Sequence, residues 1–226
     1  MLEPATLRTD APYKEERIFI DCSTIDPRTS AEAAELAEST GQGKFVDAPM
    51  SGGVVGASAG TLTFMVGCPE DGVDRVKEVL SLMGRRVVHL GPQTSGLKGK
   101  LANNYLLAIN NIATAEAMNM GIKWGLDPET LAGMINSATG KCWPSESNNP
   151  VPGVLPNAPA SKDYEGGFGT ALMLKDLGLA IKACAQADIV PRLGPYAKEI
   201  YTACEGAEKT KGRDFSVVYR YLGGKE

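Results

Sequence analysis

A chain of 226 residues has room for one large or two small domains around a real core. Its net charge of -4 argues against a nucleic-acid partner, which needs a basic face, and no uncharged apolar run reaches the roughly eighteen residues of a membrane span. Five scattered cysteines and a single histidine give no metal-ligand spacing, and the odd cysteine count fits reduced thiols better than a disulfide framework.

The opening "MLEPATLRTDAPYKEER" mixes acids with bases and lacks an apolar segment, so residues 1–17 read as a tail without a signal or transit peptide. "RIFIDCST" reads as a buried strand and "IDPRTSAEAAELAESTG" as a helix, with a proline near its start and Gly41 closing it. "KFVDAPMSGG" is a second strand that breaks into glycines, and "TLTFMVG" a third. "PEDGVDRVKEVLSLMG" begins acidic and predicts a helix; "RRVVHLG" is a fourth strand, with His89 a strand-end residue without chemistry. Strands alternating with helices predict a small, mostly parallel α/β sheet.

After Gly91 the strand signals stop. "LKGKLANNYLLAINNIATAEAMNMGIKWG" predicts one long helix closed by Gly125, and "DPETLAGMINSATG" another, opened by Asp127 and Pro128. A long proline-rich loop follows, "KCWPSESNNPVPGVLPNAPASKDYEGGFG", and then three helices, "TALMLKDLGLAIKACAQADI", "PRLGPYAKEIYTACEGAEK" and "FSVVYRYLGG". The boundary between an α/β part and an all-helical part falls near residue 92.

Three constellations carry potential chemistry. In "DAPMSGGVVGASAG" the glycines let backbone N–H groups converge on an anion beside the Ser51 hydroxyl; a flexible link between strands is the competing reading. At the head of the long helix, Lys100 precedes Asn103 and Asn104 by about one turn, so all three share a face. A lysine there sits toward the disfavoured positive end of the helix dipole. If it is desolvated, its pKa falls and it can exchange a proton near neutrality; otherwise it is a solvated lysine and the asparagines bond to neighbouring helices. Third, Lys175 and Asp176 interrupt an apolar helix. Adjacent residues point apart, so they do not read as a simple helix-face ion pair. Phe168 lies in the glycine-rich turn before them, and Trp143 either walls a pocket or packs.

Taken together, "FIDCSTIDP", "DAPMSGGVVGASAGTLTFMVG", "KLANNYLLA", "KCWPSESNNPVPGV" and "GGFGTALMLKDLGLA" resemble the 3-hydroxyisobutyrate dehydrogenase family of β-hydroxyacid dehydrogenases, relatives of 6-phosphogluconate dehydrogenase. The resemblance implies oxidation of 3-hydroxyisobutyrate by NAD to methylmalonate semialdehyde, a step of valine catabolism. It implies a partial Rossmann-type sheet at residues 18–92, the C-terminal part of a dinucleotide-binding domain, followed by an all-helical substrate and dimerisation domain at 93–226. Residue by residue, it implies Lys100 as catalytic acid and base. Ser51, Gly52, Gly53, Asn104 and Trp143 fall on the substrate, and Thr24, Phe168, Lys175 and Asp176 on the cofactor, with no metal. Its implied partners are a small 3-hydroxy acid and a second copy or a full-length homologue, with no nucleic acid and no membrane. The family role points to mitochondria, with the cytoplasm as the alternative.

Two departures from the family pattern stand out. Thr94 replaces the first glycine of the G-x-G ahead of Lys100, so the turn presenting the lysine is expected to differ. The sequence also lacks the strand–G-x-G-x-x-G–helix unit that binds the cofactor pyrophosphate. The expectation is therefore a truncated chain, weak or inactive alone, with an open sheet edge at "RIFIDCST". Two readings from other classes remain, a non-catalytic assembly module and a carboxylate-binding protein.

Overall fold

The computed structural model describes residues 17–225; residues 1–16 of the expected N-terminal tail lie outside the described residues. The chain begins with β1 (Ile18–Asp21), α1 (Pro27–Ser39), β2 (Lys44–Asp47), β3 (Met50–Ser51) and α2 (Gly53–Ser58). It continues through β4 (Leu62–Gly67), a 3-10 turn at Glu70–Gly72, α3 (Val73–Leu80) and β5 (Gly84–Gly91). Helix α1 starts where Asp26 accepts from the Arg28 N–H and Pro27 occupies the first turn, where its missing donor costs nothing.

The sheet runs β1-β2-β4-β3, with β5 on the other side of β4. The β1–β2 pair, Ile18 opposite Lys44 onward, and the β4–β5 pair are parallel and make up most of the ladder. Against β4, β2 and β3 share one antiparallel register: Asp47 faces Gly67, Met50 faces Phe64 and Ser51 faces Thr63. Pro49 interrupts that strand because it has no N–H to give, although its carbonyl still accepts from Met65 at 2.9 Å. The sheet is thus mostly parallel as expected, and the predicted second strand, "KFVDAPMSGG", divides at Ala48 and Pro49 into β2 and β3. The glycine stretch after it is no loose link either, since residues 53–58 form α2. Val73, Val76 and Leu80 bury one stripe of α3 with Val46, Phe64 and Val66 of the sheet.

Beyond β5 come α4 (Ser95–Lys123), α5 (Pro128–Ser137), α6 (Trp143–Glu146), α7 (Thr170–Gln186), α8 (Gly194–Gly206) and α9 (Val218–Tyr221), with 3-10 turns at Pro159–Lys162 and Phe215–Val217. Helix α4 is the spine. Ala108, Ile112, Ala115 and Met118 pack with Met173, Leu177, Tyr201, Phe215 and Tyr219. Two of its asparagines are cross-links. The Asn111 amide donates to the Tyr201 hydroxyl at 3.0 Å and the Phe215 carbonyl at 2.9 Å, and Asn119 donates to the Leu222 carbonyl at 3.2 Å.

The proline-rich segment differs from the expected loop. It contains α6 and a 3-10 turn, buries Tyr164 fully, and is clamped by Asp214, which accepts from Asn148, the Phe168 N–H and Ser216. The last predicted helix divides into a 3-10 turn and α9. No helix among the described residues is long and apolar enough to cross a membrane.

Candidate active site

Lys100 lies in the second turn of α4 and is only 7% exposed. Among the described residues its amine makes no hydrogen bond or ion pair. Burial pulls its pKa below the ordinary lysine range; the positive charge of Lys175 pulls the same way, and the Asp176 carboxylate opposes both.

One turn further on, the buried Asn104 donates from Nδ2 to Asp176 Oδ2 at 2.6 Å and accepts from Asn103 Nδ2 at 3.0 Å. A carboxylate can only accept, so it fixes which end of the Asn104 amide faces it. The other oxygen of Asp176 pairs with Lys175 Nζ at 2.9 Å, and Lys175 Nζ donates to the Thr24 carbonyl at 2.7 Å. This corrects the expectation that Lys175 and Asp176 do not pair. Their Cβ atoms diverge, but the four-carbon lysine stem folds back far enough for the ammonium to reach its neighbour's carboxylate. The series Asn103–Asn104–Asp176–Lys175–Thr24 links α4, α7 and the loop after β1. A second tie, Lys182 to Asp26 at 2.6 Å, fastens the same loop to α7.

Gly52 and Gly53 take φ values of +139° and +60°, a backbone path that favours glycine, and both are exposed at the start of α2 beside the half-buried Ser51. The turn ahead of Lys100 keeps glycine-like geometry despite its threonine, because Thr94 holds φ at +75°. The threonine adopts the conformation and bears its steric cost.

Trp143 and Phe168, which the resemblance places on the substrate and on the cofactor respectively, stand on one ring. Trp143 stacks on Phe215 at 6.5 Å and 13°, and Phe168 meets it edge-on at 6.1 Å and 77°. Trp143 keeps 54% of its surface exposed, as a wall facing solvent would.

The structure therefore brings Lys100, Asn104, Asp176, Lys175 and Thr24 into one neighbourhood and joins Trp143 with Phe168. Among the described residues no side-chain hydrogen bond links Ser51, Gly52 or Gly53 to the lysine group. Sequence reasoning assigned no role to Asp47, Asp214 or Phe215, although Asp47 opens the "DAPMSGG" motif. The D-x-S of Asp214 and Ser216, an Asx-type turn signal, marks the second of these. The partners of Asp47 lie about fifty positions away and leave no local trace.

The family described as "NAD-binding of NADP-dependent 3-hydroxyisobutyrate dehydrogenase" matches residues 94–222. The chain belongs to the 3-hydroxyisobutyrate dehydrogenase family. The preceding residues, 9–91, match the NAD binding domain of 6-phosphogluconate dehydrogenase. The chain is 47% identical over 213 residues to the mouse protein named "3-hydroxyisobutyrate dehydrogenase, mitochondrial", covering 94% of this chain and 63% of that one. A Pseudomonas aeruginosa 3-hydroxyisobutyrate dehydrogenase is 43% identical, with 92% of this chain and 70% of that protein covered. The solved Mycobacterium tuberculosis 3-hydroxyisobutyrate dehydrogenase with L-serine superimposes with a TM-score of 0.86 at 43% identity, over 91% of this chain and 69% of that one. The chain thus spans less than two thirds of the mouse relative's length. The family is one of oxidoreductases with nicotinamide-cofactor-binding domains.

Proposed function

We propose that this chain carries the proton-transfer and substrate-binding half of an NAD-linked 3-hydroxyisobutyrate dehydrogenase. The observation that carries the reading is a buried lysine that has no hydrogen-bonded partner among the described residues, its ammonium disfavoured, one turn before an asparagine clamped by a carboxylate. In its neutral form Lys100 accepts the proton of the substrate's primary hydroxyl. Asn104, its amide oriented by Asp176, holds that oxygen. Ser51 and the backbone at Gly52 and Gly53 receive the substrate carboxylate, and the exposed face of Trp143 shields the substrate from water. The L-serine in the solved Mycobacterium tuberculosis relative is itself a 3-hydroxy acid, which supports this substrate class.

When bound, NAD supplies the hydride acceptor for the hydroxyl-bearing carbon, leaving an aldehyde, NADH and the proton on Lys100. Thr24 and Lys175 fit the nicotinamide end. A carbonyl acceptor and a half-exposed ammonium stand together after β1, at the carboxyl edge of a parallel strand where open α/β sheets bind ligands. Asp176 holds Lys175 there, and Phe168 flanks the start of the same helix.

Assembly with a second copy or a homologue accompanies this proposal, favoured by the exposed Leu106 and Met120 on α4 and Trp124 just beyond it. The mitochondrial location in the mouse relative's name is the compartment we extend to this chain. The test is NADH production from 3-hydroxyisobutyrate by the purified chain, abolished by Lys100→Ala. A folded chain that makes no NADH at saturating substrate and NAD would count against the dehydrogenase reading.

A further inference from the structure

The glycine turn and the lysine sit on separate elements, and the group that spans them is Asp47. We infer that Asp47 is a positioning residue that fixes the Lys100 amine relative to the turn at residues 51–53. The inference rests on the reading of Lys100 as proton acceptor.

Asp47 ends β2 and is 1% exposed. Its Oδ1 accepts from the Thr94 N–H at 2.6 Å and its Oδ2 from the Leu97 N–H at 2.8 Å. Those N–H groups open α4, and Thr94, at the cap position, offers no side-chain bond of its own. The cap of the catalytic helix is therefore supplied from the sheet, by a negative charge at the positive end of the helix dipole. Two N–H donors meet two oxygens of one carboxylate, an arrangement an amide cannot match because its NH2 would face a donor.

The joint has no slack. A Cβ on Gly67 would overlap the Asp47 carboxylate, and one on Gly96 would overlap the Met65 carbonyl and come within 2.9 Å of the Asp47 carbonyl. Lys100 lies three residues past Leu97, so any shift of the first turn moves it directly. Ser51 lies four residues past Asp47 on the same interrupted strand, pinned in register opposite Thr63. One carboxylate thereby sets both halves of the site.

The test is the pH midpoint of Lys100 acylation by a small amine-reactive reagent, read by peptide mass spectrometry on the full chain. The charged groups that face Lys100, Asp176 and Lys175 of α7, stay unchanged throughout. In Asp47→Asn, which keeps one acceptor, the midpoint rises toward the ordinary lysine range by about one pH unit as burial loosens, and in Asp47→Ser it rises further. Asp127→Ala removes the cap of α5 and serves as the control, lowering stability without moving the midpoint. A depressed midpoint indifferent to Asp47 would overturn this inference alone. So would loss of folding in both Asp47 variants, which would make Asp47 a folding residue. An ordinary-lysine midpoint in the unaltered chain would refute the proton-acceptor reading, and this inference with it.

Discussion

At the scale of single residues, the proposed site turns on one misfit. A lysine at the head of an apolar helix costs stability while it is charged and buried, and on the proposed reading that same cost makes its amine available as a base. The sign of the pH dependence follows. The folded pKa of Lys100 lies below the unfolded value, so between the two the unfolded chain binds more protons and stability rises with pH. Below the folded value the penalty is fully present. Lys100→Met, close in size and uncharged, is accordingly expected to melt higher than the unaltered chain near neutrality, with the gap closing as pH rises toward about 10. Paired thermal melts across pH check this, and a variant less stable at every pH would contradict it. Thr94→Gly removes the steric cost of a left-handed threonine, roughly 1–2 kcal/mol, against the added freedom of the unfolded chain at about 1 kcal/mol or less. Denaturant titration should show a neutral to modestly stabilising change. Loss of more than about 1 kcal/mol would mean that the threonine side chain matters for packing.

At the scale of elements, the predicted order of strands and helices was legible because period, capping residues and glycine stops agree in each segment. "IDPRTSAEAAELAESTG" carries an aspartate cap, a proline in the first turn and a glycine stop, and it forms α1 within a residue or two of those signals. What stayed hidden depends on distant partners. The predicted second strand divides into β2 and β3, both still paired to β4, and the proline-rich segment is ordered because Asp214, deep in the C-terminal part, collects its hydrogen bonds. Asp214→Ala would leave the Phe168 N–H and the Asn148 amide without their acceptor inside the protein, at a cost of about 3 kcal/mol. Chemical denaturation measures that loss, and hydrogen exchange should show it concentrated at residues 148–168. A uniform loss across the chain would place the role of Asp214 elsewhere.

At the scale of the whole molecule, the sheet that carries the glycine turn packs through β4 and β5 on α4, the helix that carries the lysine, and the proposed site draws on both. The family was legible through five ordered motifs, whereas the connections among the candidate site residues were not. Lys175 and Asp176 read as diverging neighbours, yet they form one ion pair that ties α7 to the loop after β1. Asn111 and Asn119 carry the same residue type on the same helix as Asn104, yet they serve packing, because tertiary neighbours decide what each amide meets. Asp176→Asn removes the charge that pairs with Lys175 and frees the Asn104 amide to turn. It is expected to lower kcat by about 10- to 100-fold, with a smaller change in stability than Asp214→Ala, since a small displacement of reacting groups is costly. Steady-state kinetics beside a thermal melt separates the two effects, and unchanged kcat would remove Asp176 from the account.

The most direct measurement is the pH profile of NADH production from 3-hydroxyisobutyrate by the unaltered chain and by Lys100→Met. A deprotonated amine is required, so the rate of the unaltered chain should climb with pH and level off below the ordinary lysine range, and the variant should show no such limb and at least about a thousandfold less turnover. Turnover that survives in Lys100→Met with the same rising limb would contradict the account, because some other group would then be taking the proton.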